Sequence, residues 1–208
     1  MLRIYDFKGF PNPTRIRIAL AEKNLAARVE FVHVDVPAAE HRRPAFLAKN
    51  PSGTVPVLEL EDGTCITECT AITEYIDNLE GPPTLTGSGA RERAVIHMMQ
   101  RRAEAGLLDA AATYFHHATP GLGPHIEIYQ NAAWGEKNRE RALGTLHYLD
   151  GVLGRQPYLA GDTFSIADIT AFAGCAYADI GNIEMPAALK NLKAWRARIA
   201  KRPSVLHA

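Results

Sequence analysis

The chain has 208 residues, 47% of them hydrophobic, and its 23 basic and 23 acidic side chains leave no formal net charge. That length suits one large domain or two small ones and is enough to bury a core, while the charge balance argues against a polyanion partner such as nucleic acid, whose binders carry a basic excess. The three cysteines, Cys65, Cys69 and Cys175, are too few and odd in number for a disulfide framework. Cys65 and Cys69 lack the two further ligands of a zinc site. No apolar run has the length of a signal peptide or a membrane span. A reduced, cytoplasmic setting with no metal and no membrane is the expectation.

Residues 2–6, LRIYD, read as a short strand, and FKGFPNP reads as a loop because of its glycine and prolines. In TRIRIALAEKN, Ile16, Ala19, Leu20 and Lys23 share a helical face, and Thr14 is placed to cap it. VEFVHVDV is β-rich, with Val29, Phe31 and Val34 inward. A loop and a short helix lead to VPVLEL and TCIT, whose connection through Asp62-Gly63 is a hairpin signal. The helix CTAITEYIDNLEG follows and ends at Gly81. This order, βαβ, a short helix, then ββα, predicts a small mixed sheet with helices packed on it.

Residues 81–90, GPPTLTGSGA, read as a linker, and the character then changes. Residues 91–117 form one long predicted helix offering Ala94, Ile96, Met98, Met99, Ala103, Leu107 and Leu108 to a core, broken by ATPGLGPH. Residues 126–153 form another. SIADITAFAGCAYADI is almost wholly apolar and reads as a central buried helix. PAALKNLKAWRARIAKR is amphipathic, with Pro186 in its first turn. The predicted organisation is a mixed α/β domain over 1–80, a linker over 81–90 and an all-α domain over 91–208.

The stretch GTVPVLELEDGTCITECTAI carries the chemistry. An X-Pro bond ahead of a strand is a place for a cis peptide. A cis bond at Val55-Pro56 would turn the Val55 N–H and C=O outward, where they can pair with an extended peptide as a sheet edge does. A trans proline at a strand start is the commoner alternative. Glu68-Cys69 opens a helix, whose free N–H groups and positive end attract a carboxylate. Cys69 can offer N–H and S–H to that anion, and Glu68 can hold an ammonium group. Taken singly, these residues read more simply as a helix cap and a small buried side chain.

Their ordered combination resembles the cytosolic glutathione S-transferase family. Asn50-Pro51-Ser52-Gly53-Thr54-Val55-Pro56-Val57-Leu58 is similar to the family's N-P-x-G-x-V-P-x-L, and Glu68-Cys69-Thr70-Ala71-Ile72 to its E-S-x-A-I. RIRIALAEKN resembles its first helix, and YLAGDTFSIADITAF its capping-box segment, with Ser165 and Asp168 reciprocating. The resemblance spans essentially the whole chain. It implies a thioredoxin-like N-terminal domain, an all-helical C-terminal domain and glutathione as co-substrate. It further implies that Val55, before the cis-proline Pro56, pairs with the cysteinyl part of glutathione. Glu68 and Cys69 would hold the γ-glutamyl end, and His41 the glycyl end. Cysteine replaces the usual serine at position 69, so the carboxylate contact should rest on the backbone N–H.

Transferase chemistry needs a glutathione thiolate, and a donor must stabilise it. The family's serine or tyrosine is absent: Phe10 and Asp6 stand at the corresponding places. FPNPTR resembles the T-P-N-G-x-K loop of a bacterial class and its fungal relatives, linked to disulfide reduction of glutathione conjugates, and Asn12 matches the asparagine whose amide lies near the sulfur. Asn12 is therefore the implied catalytic donor, with Thr14 as a second candidate. The resemblance implies a small hydrophobic electrophile lined by Phe10, Tyr114, Phe115 and His117, and a homodimer with Arg101 and Arg102 near its cleft. Conjugation of glutathione to electrophiles, a detoxification chemistry, is the expected activity. A glutathione-dependent disulfide reductase, a non-catalytic glutathione-binding protein and an interaction module are the alternatives.

Overall fold

The structure, a computed structural model, describes residues 1–208. It divides into two compact units, Met1–Pro83 with His207–Ala208, and Thr84–Leu206.

The first unit contains β1 (Leu2–Asp6), α1 (Pro11–Glu22), β2 (Val29–His33), α2 (Pro44–Leu47), β3 (Val57–Glu59), β4 (Cys65–Ile66) and α3 (Cys69–Leu79). The sheet order is β2-β1-β3-β4, with β2 parallel to β1 and the other pairings antiparallel. Side chains alternate across the strands. Ile4 and Leu58 therefore join Ile16, Leu20, Ile72 and Ile76 in one cluster, while Val57 packs with Val34 and Phe46, and partly buried Tyr5, in another. This is a thioredoxin-like sheet, the arrangement the motif order implies. The hairpin turns at Asp62-Gly63, where Gly63 has φ +86° and the Thr64 N–H donates to Asp62 Oδ1 at 2.9 Å.

Helix α1 begins at Pro11, so Thr14 is not its cap. Phe10 holds the cap position without a side-chain bond, and the Thr14 N–H donates to the Phe10 carbonyl at 3.0 Å. Proline at the first helical position, where the N–H is unpaired anyway, explains the earlier start. Val29 and Phe31 are only partly buried, because β2 is an edge strand. Helix α3 stops at Leu79 and Gly81 follows in the left-handed region.

Helices α1 and α3 run side by side in the same direction. At their starts, the Cys69 thiol donates to the Asn12 carbonyl at 3.5 Å. At their ends, Lys23 Nζ lies 3.2 Å from Asp77 Oδ1 and donates to the Asp77 and Pro82 carbonyls at 2.9 Å. Asp77 is fully buried and Lys23 nearly so. One ammonium thus balances a buried carboxylate and meets carbonyls left over at the end of α3. The Lys23→Met variant removes the cation beside that carboxylate. The expected loss is about 3–5 kcal/mol, read as a lower urea midpoint at unchanged m-value.

The second unit contains α4 (Ala90–Ala103), α5 (Asp109–Ala118), α6 (Ala132–Leu153), α7 (Ile166–Ile180), α8 (Lys190–Ile199) and α9 (Pro203–Leu206). A π-helical segment, Glu104–Leu108, joins α4 to α5, so the long helix read over 91–117 is interrupted in its middle. Ile96, Met99, Ala103, Leu107 and Leu108 are buried. Ala94 and Met98 are exposed, because they fall off the stripe that recurs every three or four residues. Helix α6 starts at Ala132 rather than 126, since the Asn131 side chain caps it by accepting the Trp134 N–H at 3.0 Å. Helix α8 starts at Lys190; residues 186–189 form a turn in which the Leu189 N–H donates to the Pro186 carbonyl. No helix is long and apolar enough to cross a membrane.

Helix α7 is the buried centre of this unit, and its Gly174 admits a neighbour closely: a Cβ there would sit 2.8 Å from Leu107 Cγ. The capping box at its start is formed. Asp168, fully buried, accepts the Ser165 N–H at 3.2 Å, the Leu159 N–H at 3.0 Å and the Trp195 indole N–H at 2.9 Å. One carboxylate so ties the approach to α7, the helix itself and α8. Burial pushes the Asp168 carboxyl up to about 6, against these donors, which pull it down. Its folded value lies above the unfolded one. Its protonation therefore contributes stability that is fully present below about pH 4 and lost as pH rises through about 6. The stability gap between the native chain and the Asp168→Asn variant is expected to narrow from about pH 4 to pH 7. Denaturant titrations across that range check this.

Candidate functional site

The first turns of α1 and α3 converge in the thioredoxin-like unit. Helix α3 brings first-turn N–H groups, whereas in α1 Pro11 and Pro13 carry none and the Thr14 N–H donates to the Phe10 carbonyl; the two positive dipole ends lie together, a setting suited to an anion. Cys69 is the first residue of α3. Its thiol points at the Asn12 carbonyl, which leaves the helix-start N–H groups as the donors for a carboxylate. Glu68, just before the helix, is exposed and adopts φ +68° and ψ 119°. No L-residue favours that conformation, and strain of this kind collects at ligand-binding positions.

The Val55-Pro56 peptide bond is cis. The Val55 N–H and C=O make no hydrogen bond within the chain. Before it, the Asn50 amide donates to the Thr54 carbonyl at 2.8 Å and accepts the Ser52 N–H at 3.0 Å, which fixes the turn through Gly53. His41 lies in a single 3₁₀ turn, Glu40–Arg42. It is buried, and its Nδ1 has no hydrogen-bond partner. Burial, and then the charge of Arg42, lowers its pKa and keeps the imidazole neutral.

In the loop after β1, the Phe10 ring meets Phe7 edge-on at 4.8 Å. Asp6 is buried and paired with Arg17, Nη2 to Oδ2 being 2.7 Å, so it is committed to the sheet end. Tyr5 donates its hydroxyl to Glu59 at 2.6 Å. Asn12, in the first turn of α1, accepts a hydrogen bond on its side-chain oxygen from Arg15 Nη1 at 3.1 Å. Arg15 is buried, at 3% exposure, and the sequence reading passed over it. The available signal was its place at the basic position that ends FPNPTR, three residues beyond Asn12.

Tyr114, Phe115 and His117 lie on α5 in the helical unit. Phe115 meets Tyr177 edge-on at 6.3 Å; the His117 Nδ1 accepts the Asn131 N–H at 3.1 Å; Arg139 lies 5.9 Å from the Tyr114 ring centre. All three are partly exposed. The neighbouring His116, which the sequence reading did not select, has its Nδ1 2.8 Å from Glu127 Oε1. Arg102 donates to the Tyr148 hydroxyl at 2.6 Å, and Arg101 lies 3.5 Å from Glu104 and 3.6 Å from Asp109. No group of three or more His, Cys, Asp or Glu side chains is arranged to hold a metal ion.

Residues 11–79 match the family model for the glutathione S-transferase N-terminal domain, and residues 108–203 the model for its C-terminal domain. Glutathione S-transferase 2 of Saccharomyces cerevisiae is 57% identical over 202 residues, 97% of this chain and 87% of that protein. The chain belongs to the cytosolic glutathione S-transferase family. The crystal structure of Gtt2 from S. cerevisiae superposes at a TM-score of 0.97, with 57% identity over 98% of each chain. That of a glutathione S-transferase domain-containing protein from Marinobacter aquaeolei superposes at 0.96, with 56% identity over 98% of this chain and 99% of that one. A thioredoxin-like domain followed by an all-helical domain is thus the fold of this transferase.

The strain at Glu68 gives a test. Glycine adopts its backbone angles freely, so Glu68→Gly relieves about 1–3 kcal/mol of strain against roughly 1 kcal/mol of added chain entropy. The variant is expected to melt a few degrees higher by calorimetry, on the order of 2–4 °C for a chain of this size.

Proposed function

We propose that glutathione lies across one end of this sheet, with its thiol beside Asn12. Its cysteinyl main chain pairs with Val55 next to Pro56. Its γ-glutamyl carboxylate meets the first-turn N–H groups of α3 at Cys69, and its ammonium meets Glu68. Its glycyl end meets His41. The observation that carries this reading is the 3.5 Å contact between the Cys69 thiol and the Asn12 carbonyl. It joins the β1–α1 loop, where the family's thiol donor resides, to the helix start that suits the γ-glutamyl group. The unpaired Nδ1 of buried His41 supports the same assignment, since buried polar groups ordinarily have partners, and the Val55 main chain is left open to pair with a ligand.

The chain is a glutathione transferase, and its relatives favour neither a disulfide reductase nor a non-catalytic binder. In our reading it conjugates the glutathione thiolate to small hydrophobic electrophiles, a detoxification chemistry. Phe10, in the β1–α1 loop beside Asn12, contacts the electrophile. The side-chain amide N–H of Asn12 donates to the sulfur and favours its ionised form. A cytoplasmic setting belongs to this reading, supported by three free cysteines, Cys65, Cys69 and Cys175. So does a homodimer, which sedimentation would detect.

Asn12→Ala tests the assignment. One lost donor to a developing or settled anion is expected to lower kcat/KM about 10- to 1,000-fold. The Kd for glutathione, measured by calorimetry, should change by less than about threefold, because the binding contacts lie elsewhere. Full turnover in this variant overturns the role given to Asn12.

A further inference from the structure

The structure assigns Arg15 a role in this chemistry: we propose that it is a positioning residue that fixes the orientation of the Asn12 amide and so presents an N–H to the glutathione sulfur. The inference rests on the function proposed for Asn12 and gives a role to Arg15, which closes FPNPTR at the place of the lysine in T-P-N-G-x-K and to which the motif comparison assigned none.

An amide side chain has an acceptor end and a donor end that are nearly equal in shape. Nothing in its own structure decides which end faces the ligand. A guanidinium decides it, because arginine carries only donors and no acceptor. The Arg15 Nη1 lies 3.1 Å from Asn12 Oδ1, so the oxygen must face the arginine and the NH₂ must turn the other way. With the amide reversed, two donors would confront each other, and the sulfur would meet a carbonyl oxygen, which repels a thiolate.

The placement of Arg15 makes a purely incidental contact a poor explanation. It is 3% exposed and sits in the N-terminal half of α1, where the helix dipole disfavours a cation. Burying a charge there is costly unless it is paired, and the Asn12 side-chain oxygen is one of its partners. Asn12 is held from a second side by the Cys69 thiol on its main-chain carbonyl. The backbone is thus anchored to α3 and the side-chain oxygen to Arg15. A charged donor on the oxygen also polarises the amide and strengthens its N–H as a donor.

The test is the pKa of the thiol of bound glutathione, followed by its ultraviolet thiolate absorbance in the full-length protein with saturating glutathione. Asn12→Ala and Arg15→Met are each expected to raise that pKa by roughly one unit, a tenfold loss of thiolate at fixed pH below it. The double variant is expected to match Asn12→Ala alone, because Arg15 acts through Asn12. Arg15→Lys, which keeps one charged donor, is expected to recover part of the shift, and it carries the test if Arg15→Met does not fold. The glutathione Kd should stay within about threefold throughout. Three results overturn the inference. If Asn12→Ala shifts the thiol and neither arginine variant does, Arg15 is merely structural. If the double variant shows the sum of both shifts, Arg15 acts on the sulfur directly. If Asn12→Ala itself shifts nothing, the function proposed for Asn12 fails first and this inference falls with it.

Discussion

The site depends on two helix N-termini being held side by side. Dipoles that run parallel repel, and α1 and α3 present their positive ends at one edge of the sheet and their negative ends at the other. Apolar burial opposes this: Ile16 and Leu20 from α1 and Ile72 and Ile76 from α3 share one cluster with Ile4 and Leu58 of the sheet, each contributing on the order of 1.5–3 kcal/mol when fully buried. At the negative edge, Lys23 meets the Asp77 carboxylate and main-chain carbonyls of both Asp77 and Pro82. At the positive edge, the protein supplies one weak thiol bond, from Cys69 to the Asn12 carbonyl. The two edges are treated differently. One is closed by a cation of the chain itself, and the other is left as a place for an anion.

The helical unit is organised by the same logic with the opposite outcome. Its buried carboxylate, Asp168, is surrounded by donors from Leu159, Ser165 and Trp195. Those bonds complete its coordination and leave it nothing for a ligand. Buried polar groups that are fully satisfied fix a unique packing, and this one sets where α7 starts relative to α8. By contrast, the unpaired Nδ1 of His41 and the main chain of Val55 stand incomplete in the other unit. Asp168, fully satisfied, belongs to the frame of this protein, and the unpaired His41 Nδ1 belongs to the proposed glutathione site.

Much of this was legible in the sequence because it is local. The Asp62-Gly63 hairpin, the capping box at Ser165 and Asp168, and the apolar run of α7 each depend on residues within one turn or one strand pair. The element order led to the sheet topology, and the ordered motifs led to the family. What was not legible is what depends on contacts between distant residues. Helix α1 begins three residues before Thr14 because Pro11 tolerates the first position. The π-helical segment at Glu104–Leu108 has no marker in composition. The partnership of Lys23 with Asp77, 54 positions apart, shows only when two helices are laid together. Arg15 was hidden for a different reason: a basic residue on a helix reads as solvated until its burial is known.

The loss of the family's usual hydroxyls at positions 10 and 69 is intelligible in these terms. Phe10 contributes a ring packed on Phe7 and can donate nothing from its side chain. Cys69 has turned its thiol inward to the Asn12 carbonyl. Both changes remove a side-chain donor, yet neither removes the N–H groups at the start of α3, which every residue except proline carries. A site built chiefly on main-chain donors is therefore tolerant of side-chain drift, provided the backbone that aims those donors stays fixed. This explains where side-chain identity still matters. In the proposed reading Glu68 supplies a charge from a strained backbone, and Asn12 points the N–H end of its amide at the glutathione sulfur. A helix terminus supplies neither, so the remaining chemical specificity of the site is concentrated in those two residues and in whatever holds them in place.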